Sequence, residues 1–516
     1  MLLPLPESMR ELVIDGNSLT IRDVVDTGLG LTKVALSQSA REKMTSCREA
    51  VTEILRNRTV TYGINTGFGA LSSVSIEPDK LEQLQANLIR SHACGIGEPM
   101  ENRHTIMMML IRANTLCRGN SGARPVIVDT LISMINHGVC PVIPRIGSLG
   151  ASGDLAPLSH LALGMMGEGE CNLRIGTNEW SLMSSNEALG KSGITPIVPA
   201  AKEGLSLING TSQMCAFMCE ALNNMDMLCF ASDASVACTV EAIRGSHKPF
   251  DPRIHNSRPH PGQTMSAARI SSLLENSEIK ISHVNCDRVQ DAYSIRCSPQ
   301  VHGPVIDMLR ESRRILEIEI NSSTDNPLVF TEGDSIEVIS GGNFHGQYIA
   351  LSSDSISIAC HELASISERR INQILDPKWS GHSAFLAKDE GLESGLMIIQ
   401  YSSAAVLAEL HLLSNPATTS NTPVSMGKED HASMGATGAY RTMISTRLLA
   451  NVISNEIICA SEAMYRIDEK PGHGVSKVLE WSRGIVKPLN GDRALSEDTK
   501  NLTESLLNGD LTRIFM

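Results

Sequence analysis

No stretch of the 516-residue chain approaches about 18 uninterrupted apolar residues, so no transmembrane span is expected. Basic residues are in deficit, 44 Lys and Arg against 57 Asp and Glu, for a formal net charge of −13. That deficit removes the basic stripe a nucleic-acid partner needs, and it leaves an anionic membrane surface nothing to attract. Residues 1–10 carry no basic segment ahead of their short apolar start, so no secretory signal is expected. Thirteen cysteines, an odd number without such a signal, point to reduced thiols in the cytoplasm. Cys215 and Cys219 have no second Cys or His pair at zinc spacing; they are read as small apolar residues on one helix face, and no metal site is expected. The sequons at Asn57, Asn209 and Asn321 would then never meet the glycosylation machinery. Internal repeats and low-complexity tracts are missing. So are a dinucleotide fingerprint after a strand and the Gly-Lys-Ser/Thr that would make residues 62–69 a phosphate loop.

With 42% apolar and 20% charged residues, the composition is that of a globular chain. Its length exceeds what one ordinary core supports, so a large domain with a smaller partner is expected. Short apolar runs at 12–14 and 19–21 suggest strands, and 37–56 a polar helix. From Pro78 the spacing of Leu81, Leu84 and Leu88 is helical, with proline suited to the first turn. Residues 180–199 read as strands and turns. Beyond 202 helical patterns dominate: 305–320 in a 3.6-residue rhythm, 344–375 ending at Asp376-Pro377 as a helix should, then 396–413 and 435–465. Polar loops rich in Pro, Ser or Asn at 253–263 and 415–428 separate them. Helices this long, side by side, make a bundle. The expected fold is mainly α: a long helical bundle (201–516) with a smaller mixed amino-terminal domain (1–200).

Between Pro144 and Pro157 lies the chain's most unusual loop, Gly147-Ser148-Leu149-Gly150-Ala151-Ser152-Gly153-Asp154. By itself Ala-Ser-Gly is a surface turn. Here glycines at 147, 150 and 153 open backbone angles closed to other residues, and the flanking prolines stiffen both ends. Such a loop can be bent until the Gly153 nitrogen meets the Ala151 carbonyl; a serine between them can then lose water to an exocyclic methylene.

That segment resembles the signature of the aromatic amino acid ammonia-lyases. The resemblance spans about residues 62–434, through Tyr62-Gly63-Ile64-Asn65-Thr66-Gly67-Phe68-Gly69, Ser91-His92, Leu207-Ile208-Asn209-Gly210-Thr211, Gln290-Asp291-Ala292-Tyr293-Ser294-Ile295-Arg296, Ser340-Gly341-Gly342-Asn343-Phe344-His345-Gly346 and Lys428-Glu429-Asp430-His431. It implies that Ala151, Ser152 and Gly153 cyclise unaided into a 4-methylidene-imidazol-5-one (MIO), with no external cofactor. Deamination needs such an electrophile, because an amine leaves poorly and a β-hydrogen is barely acidic. Engagement through the substrate's amine or through its ring are both open.

The same resemblance implies roles for other residues. Tyr62 would take the β-proton; keeping a phenol ionised at pH 7 requires about three units of pKa depression, roughly 4 kcal/mol. Asn209 would polarise the ring carbonyl. Arg296 would hold the substrate carboxylate by a two-pronged contact, with Gln290 and Tyr293 along the same wall and Phe344 against the aromatic ring. Ser91-His92 and Glu429 match the histidine-directed branch, and a His and a carboxylate suit an imidazole's one donor and one acceptor. Met426-Gly427-Lys428 departs from the Ala-Asn-Gln frequent there. The implied activity is conversion of L-histidine to trans-urocanate and ammonia by a homotetramer whose active sites are shared between subunits. The alternatives are a phenylalanine or tyrosine lyase, an aminomutase, or a non-catalytic protein on the same scaffold.

Overall fold

The computed structural model describes residues 9–67, 76–176, 179–282, 289–332 and 335–516. The chain is mainly helical, as its periodicity predicts. In chain order the helices that matter here are α1 (Leu81–His92), α2 (Asn102–Cys117), α3 (Leu155–Met165), α4 (Glu203–Ile208) and α5 (Ser212–Ala242). They continue with α6 (Tyr293–Arg296), α7 (Ser298–Glu319), α8 (Gln347–Leu375), α9 (Met397–Leu413) and α10 (Gly435–Met464). The strands are short: β1 (Arg10–Ile14), β2 (Thr32–Leu36), β3 (Ile96–Pro99), β4 (Val139–Pro141), β5 (Pro144–Ile146), β6 (Glu170–Arg174), β7 (Trp180–Ser184), β8 (Leu328–Glu332) and β9 (Ser335–Ile339). β1 and β2 pair in parallel; β3–β5, β4–β6–β7 and β8–β9 are antiparallel.

Three local expectations are corrected. Residues 19–21 form no strand; Thr20 caps a helix over Ile21–Gly28, its hydroxyl accepting from the Asp23 nitrogen while the Asp23 carboxylate accepts from the Thr20 nitrogen. This reciprocal capping box overrides the β-branched run. Within 180–199 the one strand is β7, and Ser184 caps a short helix over Ser185–Lys191. α7 begins at Ser298, ahead of the 305 expected, with Pro299 tolerated in its first turn and Pro304 carried inside.

By contact the chain divides into two compact units, each assembled from three separated segments. Unit 1 comprises Met1–Glu220, Arg313–Ser353 and Pro416–Tyr440; unit 2 comprises Ala221–Ser312, Asp354–Asn415 and Arg441–Met516. In unit 1 a small core of Cys47, Ala50, Val51, Ile54 and Ile64 packs on Val329 of β8. That contact draws the approach to Tyr62 against the strand that follows Pro327. α5 is buried along nearly its whole length, polar side chains such as Asn224, Ser235 and Thr239 included. Cys215 and Cys219 sit buried on it, and burial pushes both thiols up.

Unit 2 is pinned by one buried ion pair. Arg370 on α8 and Glu456 on α10 are both fully buried and joined by two charge-assisted hydrogen bonds of 2.6 and 2.8 Å. Ser235, Thr239 and Ser367 donate hydroxyls to the same carboxylate at 2.9, 2.7 and 2.6 Å. Every carboxylate oxygen is thus answered, the condition under which a buried pair holds. Glu456→Ala would leave the guanidinium charged and unanswered. It is expected to cost about 3–5 kcal/mol, read as a lowered urea midpoint; an unchanged midpoint would show that the charge finds another partner.

Candidate active site

The Ala151-Ser152-Gly153 loop joins β5 to α3, and unit 1 braces it from several sides. Gly153 (φ +77°) forms a parallel bridge with Gly210 (φ +143°), and the Asp154 nitrogen donates to the Gly210 carbonyl at 2.7 Å. A Cβ on Gly153 would collide with the Gly210 carbonyl oxygen and lie 2.6 Å from its nitrogen, so this approach admits glycine alone. On the other flank the Gly150 carbonyl accepts from the Gly346 nitrogen at 3.2 Å and the Ser433 hydroxyl at 3.0 Å. The Leu149 carbonyl accepts from the Met434 nitrogen at 2.8 Å. Ala151 is buried among Ala417, Ala432 and Met434, with Ser152 half-buried beside it.

Asp154 holds the base of the loop. It stands at the N-cap of α3, yet its carboxylate reaches the start of α5, accepting from the Gln213 and Met214 nitrogens at 2.8 and 3.2 Å. The Ser148 hydroxyl donates to it at 2.7 Å. Burial outweighs these bonds and the nearby Arg112 charge, raising the carboxyl to about 6. Glu319, which accepts from the Thr211 hydroxyl at 2.7 Å, is likewise raised to about 6 by burial, with Asp154 repelling it.

Asn326 gathers the next residues. Its carbonyl accepts from Asn209 Nδ2 at 3.2 Å, and its Oδ1 accepts from the Gly341 nitrogen at 2.7 Å and the Ser340 hydroxyl at 3.2 Å. The Asn209 position thus meets the strand of chain leading to Phe344. Asn209 Oδ1 is buried without a hydrogen-bond partner among the described residues. Tyr62 arrives through Gly63 (φ +74°), where a Cβ would sit 2.8 Å from Pro327 and 2.9 Å from Leu205; its own ring is half-buried. Phe68 and Gly69 of that motif lie outside the described residues.

Ser91 and His92 end α1. Both the Ser91 hydroxyl and His92 Nδ1 donate to the Leu88 carbonyl, at 3.0 and 2.8 Å. With Nδ1 protonated, His92 Nε2 is left as an acceptor. Pairing of Ile96 with Ile146 lays the end of α1 beside the entry to the loop. Ser91 is exposed and His92 half-buried. Glu429 closes a tight hairpin with Val424, whose nitrogen donates to the Glu429 carbonyl at 2.9 Å. Met426-Gly427-Lys428 forms its tip, with Ser425, Met426 and Gly427 all at positive φ and Met426 outward. His345, next to half-buried Phe344, stacks on His431 at 5.7 Å and donates to its carbonyl.

Unit 2 carries Gln290, Tyr293 and Arg296. The Arg296 guanidinium lies 4.3 Å from the centre of the Tyr293 ring, and its Nε is buried without a hydrogen-bond partner among the described residues. Gln290 and Tyr293 are exposed. α6 is held by its buried Ile295, by the Ser298 hydroxyl donating to the Ser294 carbonyl, and by the Asp291 carboxylate accepting from the Ser246 nitrogen at 2.7 Å.

Over residues 19–483 the chain matches the aromatic amino acid lyase family. It belongs to that family. It is 43% identical to the histidine ammonia-lyase of Myxococcus xanthus over 505 residues, 98% of each chain. The structure is similar to that of histidine ammonia-lyase from Trypanosoma cruzi, at 38% identity and a TM-score of 0.90, covering 98% of this chain and 94% of that one. It is also similar to tyrosine aminomutase from Streptomyces globisporus, at 32% identity and a TM-score of 0.90, covering 98% of both.

Among the lyase's supporting residues, Asp154, Glu319 and Asn326 were not legible as such in the sequence. The one local signal was Asp154 directly after Gly153, and it points to a cap on α3 rather than the cap on α5 it provides. Both carboxyls bind a proton more tightly in the fold than in the unfolded chain. Their contribution to stability is therefore fully present below about pH 4 and lost as pH rises to about 6. Glu319→Gln, which keeps an acceptor for Thr211, is expected to flatten that decline in a urea-midpoint series from pH 4 to 7; an unaltered slope would mean Glu319 titrates as in the open chain.

Proposed function

We propose that the protein is a histidine ammonia-lyase, a carbon–nitrogen lyase that converts L-histidine to trans-urocanate and ammonia. The observation that carries it is the closure of Gly153 onto Gly210. A loop braced on both flanks, with no room for a Cβ at its third residue, suits cyclisation of Ala151-Ser152-Gly153, so the residues present fit an MIO group. Such a ring supplies an electrophilic methylene that activates the substrate toward loss of ammonia. The chain's own residues bind, orient and move the proton. Arg296, with a buried N–H still unanswered, grips the substrate carboxylate as a fork. Gln290 and Tyr293 line that wall, and Phe344 rests against the ring. Tyr62 removes the β-proton, and Asn209 would steady charge on the ring carbonyl. His92 and the Glu429 carboxylate meet the imidazole, with Ser91 alongside.

We also assign the protein to the cytoplasm and to a homotetramer with shared active sites, residues 1–200 bearing the ring and 201–516 the bundle. No helix among the described residues is long and apolar enough to cross a membrane. Support for assembly comes from α9, an apolar helix on which Ile398, Tyr401 and Leu412 stay more than half exposed in the single chain. A surface helix of that composition calls for a covering partner.

Two measurements test this function. Intact wild-type protein is expected to weigh two waters less than its sequence, and Ser152→Ala, lacking the hydroxyl that leaves, to regain the full mass and lose turnover. An active wild type at full mass would sink the ring. Separately, kcat/KM for histidine, followed by urocanate absorbance, is expected to exceed that for phenylalanine or tyrosine by about 10⁴–10⁵, because a phenyl ring leaves the imidazole's partners unsatisfied. Preference for phenylalanine or tyrosine would overturn the substrate, and a β-amino acid product in place of urocanate would favour the aminomutase reading that the Streptomyces likeness suggests.

A further inference from the structure

Arg112 sits within α2 and is fully buried, a place arginine almost never occupies unless its charge is answered. α4 ends where Asn209 turns extended (φ −86°, ψ 123°), leaving carbonyls of its last turn without partners inside the helix. The guanidinium fills that gap. Nη1 donates to the Asn209 carbonyl and Nη2 to the Ser206 carbonyl. Nη1 is also the atom a Cβ on Gly210 would strike, with the Thr324 carbonyl oxygen 2.7 Å from the same point. Gly210 is thus wedged between Arg112 and Thr324, while its carbonyl receives the Asp154 nitrogen and its backbone meets Gly153. Asp325 and Asp154 oppose the buried charge, although burial still draws the guanidinium down to about 10.

We propose that Arg112 is a positioning residue for ring formation: by fixing the Asn209-Gly210 backbone it sets the surface against which the Gly153 nitrogen closes on the Ala151 carbonyl carbon. This rests on the ring-forming function proposed above. In the closure the Gly153 nitrogen bonds to that carbon, and the Ala151 oxygen leaves as water with the amide hydrogens of Ser152 and Gly153. The Ser152 hydroxyl and α-hydrogen leave as a second water, so no oxidant enters. Arg112 exchanges no proton. The same fork holds the backbone that carries the Asn209 side chain, so displacement of Arg112 misplaces Asn209 as well.

Arg112→Lys keeps a buried cation but loses the planar fork. Expected is a folded protein, with wild-type circular dichroism and sedimentation, in which the fraction lighter by two waters falls severalfold. In the chains that do cyclise, kcat should fall about 10²-fold, the cost of a misplacement near 1 Å, with KM little changed. If Arg112→Lys does not accumulate as folded protein, Gly210→Ala retains the guanidinium but forces it or the Thr324 carbonyl aside, and the same two readouts apply. Complete loss of both waters with wild-type kcat in either folded variant overturns the proposal, as does reduced stability with full cyclisation. A wild type at full sequence mass overturns the ring-forming function and this inference with it, whereas a dehydrated wild type beside an equally dehydrated Arg112→Lys overturns this inference alone.

Discussion

Everything around the candidate ring depends on two glycines meeting backbone to backbone. Gly153 and Gly210 approach so closely that a single methyl on Gly153 would occupy the Gly210 carbonyl. This contact ties the loop after β5 to the turn between α4 and α5. It brings the tripeptide beside Asn209 and supplies the Asp154 nitrogen with its acceptor. Backbone contact of this kind has little lateral freedom, since no side chain can rotate to absorb an error. The precision of the loop is then inherited from whatever fixes the Gly210 side.

What fixes it is charge placed where water cannot reach. Arg112, Asp154, Lys202 and Asp325 are all fully buried in unit 1, with Lys202 and Asp325 paired at 2.9 Å. Each is costly there unless answered, and the raised Asp154 and Glu319 carboxyls show the cost only partly recovered. An apolar core of the same volume would stabilise the unit at least as well. It would not, however, supply directional donors to the Asn209 and Ser206 carbonyls, or caps to the first N–H groups of α5. The arrangement gives up stability for placement.

Unit 2 uses the same device at another site. The Arg370–Glu456 pair draws hydroxyls from α5 and α8 onto one carboxylate, and Arg370 also points Nη1 at the Ser294 carbonyl at 3.4 Å. The short helix carrying Arg296 is thereby backed by a buried charge. The carboxylate grip proposed for Arg296 would gain from such a backing, because a mobile fork spends its binding energy on becoming ordered.

By itself the sequence determined the long helices, whose 3.6-residue rhythm and proline or glycine punctuation are local properties. It also determined the family, because Ala151-Ser152-Gly153 and the blocks around Tyr62, Asn209 and Arg296 keep their residue types together over short stretches. It misjudged residues 19–21 and, within 180–199, the helical 185–191, where the side-chain caps of Thr20 and Ser184 outweigh apolar alternation. Only the tertiary structure decided that the two units are each woven from three separated segments, since long-range contacts leave no periodic trace. It alone gave Asp154 to α5 instead of its own helix, made Asn326 the meeting point of Asn209, Ser340 and Gly341, and sent Arg112 to the end of α4. Those residues look like ordinary polar positions in the chain; their roles come from burial, which turns an unremarkable hydrogen bond or charge into one the fold cannot leave unanswered.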